Sequence, residues 1–157
     1  MKHTIQAFVE NRFGVLARVA SLFSARGYNI DSLAVGETQD PAVSCMTIVV
    51  NAEDERILEQ IKKQLHKLID VITVNDFTRK DFIERDLMLL KVAKGKDSDS
   101  VIEKLTSKYP VKVVEQKKQY YLLEICSDRF QEEEILKELT QLGIKELVRT
   151  GRIAIEK

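Results

Sequence analysis

Groups able to move a proton, attack a carbon centre or hold a metal are sparse in this chain. Two histidines occur among its 157 residues, His3 in the first apolar run and His66 beside Leu65. His66 could act as a general base. Its place near the end of a helical stripe fits better with a surface histidine, whose partial positive charge a helix C-terminus favours. Cys45 and Cys126 lie far apart, each inside a strand-like apolar run. They read as small buried hydrophobes in a reducing compartment rather than as a disulfide. No Cys-x-x-Cys, His-x-x-x-His, Asp-x-Asp calcium loop, Gly-x-Gly-x-x-Gly or phosphate-binding Lys loop occurs. Ser127-Asp128-Arg129 and Asp97-Ser98-Asp99-Ser100 each precede a helical stripe, where Ser and Asp cap open N–H groups. With no nucleophile–base pair, the chain alone is not expected to be an enzyme. No catalytic residue and no metal ligand is assigned.

One segment does have the makings of a binding site. Between a strand ending at Val9 and a helical stripe beginning at Val15 stands Glu10-Asn11-Arg12-Phe13-Gly14. Asn11 offers an amide with donors and an acceptor. Gly14 has no side chain, so a ligand can come close to the backbone. The N–H groups of Val15 and Leu16 then point out of a helix N-terminus, which can receive a carboxylate. The plainer reading is that Gly14 only permits a tight strand-to-helix turn, and the residues alone leave both open. Asn29, after Gly27-Tyr28, is either a turn residue or a group that reaches a ligand's amino group across a dimer seam.

Composition narrows the class. Lys+Arg and Asp+Glu number 25 each, so no domain-wide basic field exists to attract phosphates. The pair Lys117-Lys118 beside Tyr120-Tyr121 could imitate an RNA platform, but two lysines at a hairpin tip are more often a solvated turn. Nucleic acid is not an expected partner. The N-terminus lacks a signal-peptide core, and no apolar run approaches the ~18 residues that span a membrane. A cytoplasmic protein with no membrane contact is expected.

The elements that must position these residues occur twice. Thr4–Val9 alternates as a strand, and Val15, Leu16, Val19, Leu22 and Phe23 make a helical stripe closed by Gly27. Ile30–Gly36 and Cys45–Val50 are strands flanking the turn Thr38-Gln39-Asp40-Pro41. Ile57, Leu58, Ile61, Leu65, Leu68 and Ile69 mark a second helix, with Glu53, Asp54 and Glu55 in its first turn, and Val71–Val74 is a fourth strand. Charged Thr78–Arg85 reads as a linker. The same order then returns: strand Leu87–Val92, helix Asp97–Tyr109, hairpin strands Val111–Glu115 and Tyr120–Cys126, helix Glu132–Leu142 stopped by Gly143, and a last strand Glu146–Ile155 bent at Gly151. The fold class is α+β, two tandem ferredoxin-like βαββαβ domains with helices on one face of each antiparallel sheet, at 1–78 and 79–157. Each domain is small enough to be marginal alone and leaves open sheet edges, so a homodimer is expected.

Val9-Glu10-Asn11-Arg12-Phe13-Gly14-Val15-Leu16-Ala17-Arg18-Val19 and Leu22-Phe23-Ser24-Ala25-Arg26-Gly27-Tyr28-Asn29-Ile30-Asp31-Ser32-Leu33 closely resemble the small, regulatory subunits of acetohydroxyacid synthase (acetolactate synthase). The resemblance continues at Thr38–Pro41, Met46-Thr47-Ile48, Glu59–Val71 and Glu84–Val92, and covers residues 1–92 most closely. It implies an N-terminal ACT domain that dimerises side by side, with effector sites for valine or a related branched-chain amino acid at the seam. Asn11, Gly14, Val15 and Leu16 would hold the carboxylate end, and Asn29 with Ile30 of the other subunit the amino end. The family activates a separate catalytic large subunit, on which thiamine diphosphate, Mg and FAD are expected, and none in this chain. The effector reverses that activation. Ala17 departs from the serine of some relatives, which leaves its role open. An amino-acid-sensing ACT-type transcriptional regulator is the alternative, but no helix-turn-helix or basic arm is present to serve it.

Overall fold

The alternation of Ile5, Ala7 and Val9 produces the strand it predicts, and the rest of the first unit assembles around that strand. The computed structural model describes residues 2–52 and 55–157. Glu53 and Asp54, placed by the sequence in the first turn of the second helix, lie outside the described residues. The element order is β1 (Lys2–Glu10), α1 (Val15–Ser24), β2 (Ile30–Glu37), β3 (Val43–Asn51), α2 (Glu55–Leu65) and β4 (Val71–Asp76). A second set follows: β5 (Phe82–Ala93), α3 (Ser98–Lys108), β6 (Val111–Gln116), β7 (Tyr120–Ser127), α4 (Arg129–Leu142), β8 (Ile144–Arg149) and β9 (Ile153–Glu156). Among the described residues no helix is long and apolar enough to cross a membrane.

The first sheet has the order β2-β3-β1-β4, with β1 antiparallel to both neighbours. Its helix-facing side carries Ile5, Ala7, Val9, Met46, Ile48 and Val50. Val15, Val19, Leu22 and Phe23 of α1 and Leu58, Ile61 and Leu65 of α2 close that core. A buried side chain of this size contributes roughly 1.5–3 kcal/mol, so the two stripes dominate the unit's stability. The helical stripe stops earlier than its spacing implies. α2 ends at Leu65, and Ile69 stands in the loop, wholly exposed, rather than on the buried face.

The opposite face of this sheet is covered by the end of the chain. Residues 152–157 group with residues 1–83 as one compact unit, and 84–151 form the other. On that face Gln6, paired with Thr47 across the ladder, donates from Nε2 to the Ala154 carbonyl at 2.9 Å. The Arg152 N–H donates to Ser32 Oγ at 3.0 Å, and the Lys157 N–H to the Asp81 carbonyl at 3.1 Å. The expected single strand over 146–155 is therefore two strands, β8 and β9, separated by Gly151 at φ +91°. A positive φ is cheap only for glycine, so the break between the two strands falls there, and β9 then pairs with β5 as β8 does. β5 begins at Phe82, inside the stretch expected to be linker, and the two compact units divide within it at 83/84. Phe77 and Phe82 pack at a ring-centroid distance of 4.9 Å, which makes that short connection apolar at both ends.

The second sheet has the order β6-β7-β5-β8, with β9 also pairing with β5. Met88, Leu90, Val92, Leu123 and Ile125 face Ile102, Leu105, Ile135 and Leu139 of the two helices. Asp128 caps α4 through the Gln131 N–H at 3.0 Å, as its position before the stripe predicts. Asp97 makes no such cap on α3. Buried Ser98 instead bonds both the N–H and the carbonyl of Gly95. Buried Asp86 and Glu132 each face Arg149 at 3.8 Å.

Candidate functional site

The β1–α1 loop is fastened at several points. The Glu10 N–H donates to the Asp70 carbonyl at 2.8 Å, and the Asn11 N–H to the Ala42 carbonyl at 2.7 Å. Asn11 Nδ2 donates to Glu37 Oε1 and to the Pro41 carbonyl, both at 2.9 Å. Both amide donors of Asn11 are thus engaged, and the lone pairs of its Oδ1 are what it still offers. Glu37, at the end of β2, was not singled out from the sequence. It becomes visible only once β1 and β2 are known to run parallel on either side of β3.

Gly14 occupies the position before α1 at φ +82°, and it brings no side-chain cap to the helix. The Val15 N–H reaches back to the Arg12 carbonyl at 3.4 Å, so it is not free as expected. The N–H groups of Leu16 and Ala17 have no partner among the described residues. These are the open donors of the helix start, where an anion is favoured. Val15 is buried in the core, whereas Leu16 is half-exposed beside the open donors. A Cβ built on Gly14 would meet Arg18 Nη1 at 3.0 Å. Arg18 in turn donates from Nε to buried Asp70 Oδ2 at 2.7 Å. That hydrogen bond holds the Asp70 carboxyl below the usual carboxylate range and raises the Arg18 guanidinium.

Asn29 and Ile30 lie elsewhere. Ile30 pairs with Val50 at the level of His3, while Glu37 pairs with Ser44 at the level of Val9. At ~3.4 Å per residue the two ends of β2 are roughly 20 Å apart. One chain brings Asn11, Gly14, Val15 and Leu16 together, and leaves Asn29 at the far end of the sheet. There Asn29 Nδ2 donates to Asp31 Oδ1 at 2.8 Å, and Asp31 also pairs with Lys2 at 3.3 Å. Ile30 packs on the edge of the core.

The remaining candidates have structural explanations. His3 is buried, with Nδ1 3.0 Å from Thr78 Oγ1, and His66 is exposed just beyond α2. Both cysteines are free thiols, but only Cys45 is partly buried. Burial pushes its thiol up, with hydrogen bonds involving Gln6 and Thr47 acting the other way. Cys126 is exposed, contrary to expectation, because it points to the side of β7 opposite buried Ile125 and Ser127. Tyr121 is buried against Asp99, so the second hairpin presents no aromatic platform. Among the described residues no group of three or more His, Cys, Asp or Glu could hold a metal ion.

Residues 5–73 match the model of the AHAS small subunit-like ACT domain, and residues 85–157 match that of the small subunit of acetolactate synthase. The acetolactate synthase small subunit of Mycobacterium leprae is 40% identical over 155 residues, covering 99% of this chain and 91% of that protein. That of Aquifex aeolicus is 39% identical over 158 residues, with coverage of 99% and 81%. The crystal structure of the acetolactate synthase small subunit from Thermotoga maritima superposes with a TM-score of 0.86 at 32% identity, covering 100% of this chain and 98% of that one. The chain belongs to the acetolactate synthase small-subunit family. Its first unit is accordingly an ACT-type domain, and its two ferredoxin-like units are those of a small subunit. A small subunit is the non-catalytic member of acetolactate synthase, in agreement with the absence of any nucleophile–base pair in the sequence.

Proposed function

We propose that this small subunit binds and activates the catalytic large subunit of acetolactate synthase, and that valine reverses the activation from a site shared by two copies. The observation that carries the reading is the separation of Asn29 from Asn11 along one sheet. β2 is an edge strand of the order β2-β3-β1-β4. Antiparallel pairing of β2 with β2 of a second copy would bring the partner's Asn29 and Ile30 beside Glu37 and the Asn11 loop. It would also extend the sheet to eight strands and remove an open edge.

At such a seam the charges sort themselves. The open N–H groups of Leu16 and Ala17 receive the amino acid's carboxylate, and Gly14 lets it approach. The Asn11 amide turns from Glu37 to the carboxylate, which frees Glu37 to attract the ammonium group along with the carbonyl of the partner's Asn29. Ile30 contributes apolar contact to a branched side chain. Thiamine diphosphate, Mg and FAD belong to the large subunit in this scheme. The setting is the cytoplasm, where free thiols such as Cys45 and Cys126 persist.

Calorimetry on the purified chain tests the ligand, with saturable binding at or below millimolar valine as the expected result. Assay of pyruvate condensation by the large subunit, with and without this chain, tests the activity. Stimulation that valine removes is expected, and no stimulation would refute the reading. Among the described residues every helix packs on a sheet, which leaves none to read DNA as a transcriptional regulator would.

A further inference from the structure

Phe13 and Ile69 are wholly solvated, at 103% and 95% of their reference exposures. One exposed apolar side chain is ordinary; two held on adjoining loops form a feature. The loops are pinned together by the Glu10 N–H on the Asp70 carbonyl at 2.8 Å and by Arg18 on the Asp70 carboxylate at 2.7 Å. Behind them runs a groove of about 560 Å³ between α1 and α2. Its floor is Ala17, Leu22 and Leu68, and its rim is Arg18, Arg26 and Lys67.

Arg18 is matched by Asp70, and the remaining rim charges, Arg26 and Lys67, are both positive. Among the described residues no carboxylate lines the groove. Arg26 rests on neutral acceptors, the Leu22 carbonyl at 3.3 Å and Gln64 Oε1 at 2.7 Å. Lys67 has no acidic partner among the described residues. In a chain of net charge zero, this is a local imbalance that an acidic partner would offset.

We propose that this face docks on the catalytic large subunit, which lays an acidic segment in the groove and receives Phe13 and Ile69 in apolar pockets. The proposal rests on the reading that the chain activates that subunit. Apolar anchors beside a polar rim are the anatomy of an energetically focused interface. The face is also compatible with pairing of two copies. Ile69 precedes β4, the edge opposite β2, so both contacts can form at once.

The test is stimulation of the large subunit as a function of small-subunit concentration, at low and high salt, using full-length chains. The Phe13→Ser/Ile69→Ser double variant should raise the half-saturating concentration by about tenfold or more, the scale of losing interface anchors. Arg26→Glu/Lys67→Glu should do the same and flatten the salt dependence. Phe130→Ser, which alters a comparably exposed aromatic at 79% in α4, should change nothing. Thermal midpoints of the serine variants should match the parent, since those side chains are at the surface, whereas Arg26→Glu gives up its bonds to the Leu22 carbonyl and Gln64 and is judged by the salt dependence. If the parent chain stimulates and both double variants stimulate equally well, the docking face is wrong and the activator reading stands. Equal damage from Phe130→Ser would also overturn it. If the parent chain neither binds nor stimulates, both readings fall.

Discussion

Arg18 and Asp70 are joined at 2.7 Å across 52 positions of sequence, and the join fixes where the β1–α1 loop sits. Asp70 lies in the α2–β4 loop, and its carbonyl holds Glu10 while its carboxylate holds Arg18. One residue of one loop therefore anchors both ends of the candidate site. The Gly14 approach, the open N–H groups of α1 and the placement of Phe13 all depend on it.

Because Arg18 depresses the Asp70 carboxyl in the folded chain, the pair's stabilisation is complete above the unfolded value of about 3.9 and is lost as pH falls through the lower folded value. At neutral pH it does not vary. An NMR titration of the Asp70 carboxylate should show a midpoint below that of an ordinary aspartate. In Arg18→Met the midpoint should move upward.

Gly14→Asp should abolish the response to valine in the reconstituted enzyme. The new carboxylate repels that of the ligand, and its Cβ starts 3.0 Å from Arg18 Nη1, which would draw Arg18 away from Asp70. Gly14→Ala carries the backbone penalty at φ +82°, roughly 1–2 kcal/mol, and a Cβ 3.0 Å from Arg18 Nη1 that the flexible side chain can yield to, but no new charge, and should weaken the response rather than remove it. Valine inhibition curves for the two variants decide this. A parental curve for Gly14→Asp would show that the ligand sits elsewhere.

Asn11→Ala and Asn29→Ala should each lose valine binding as pure proteins, and regain part of it when mixed. A mixed pair holds one site with both asparagines intact and one with neither. Calorimetry on the mixture should approach half the parental number of sites among the mixed pairs. No recovery would argue against a site built from two copies.

Thiol chemistry separates the two cysteines. Cys126 is exposed and should react quickly with an aromatic disulfide reagent, whereas Cys45 is partly buried with its thiol pushed up, and should lag until the chain unfolds. Two equal fast phases would contradict the placement of Cys45 beside Gln6 and Thr47.

Much of this architecture was legible from periodicity, because most strands and helices bury one face. Ile5, Ala7 and Val9 required β1, and the stripes of α1 and α4 required helices against a sheet. Ile69 misled because an apolar residue next to Leu68 continues a helical spacing, while the chain had already turned at Leu65. Cys126 misled because a strand that looks apolar throughout still has two faces. The loop's glycine was readable, but its fastenings were not. Glu37, Pro41, Ala42 and Asp70 reach Asn11, Glu10 and Arg18 only through topology. The strand over 146–155 looked continuous because both halves pair with β5, and local pattern cannot say that Gly151 interrupts the ladder or that the part after it bonds to Gln6 and Ser32.

The return of residues 152–157 to the first unit has a consequence for synthesis. Those residues leave the ribosome after everything between them and β1, at about 5–20 residues per second. For several seconds the nascent sheet has its helices but not its cover, with Gln6 and Ser32 still bonded to water instead of to Ala154 and Arg152. The first unit is begun before the second and completed only after it.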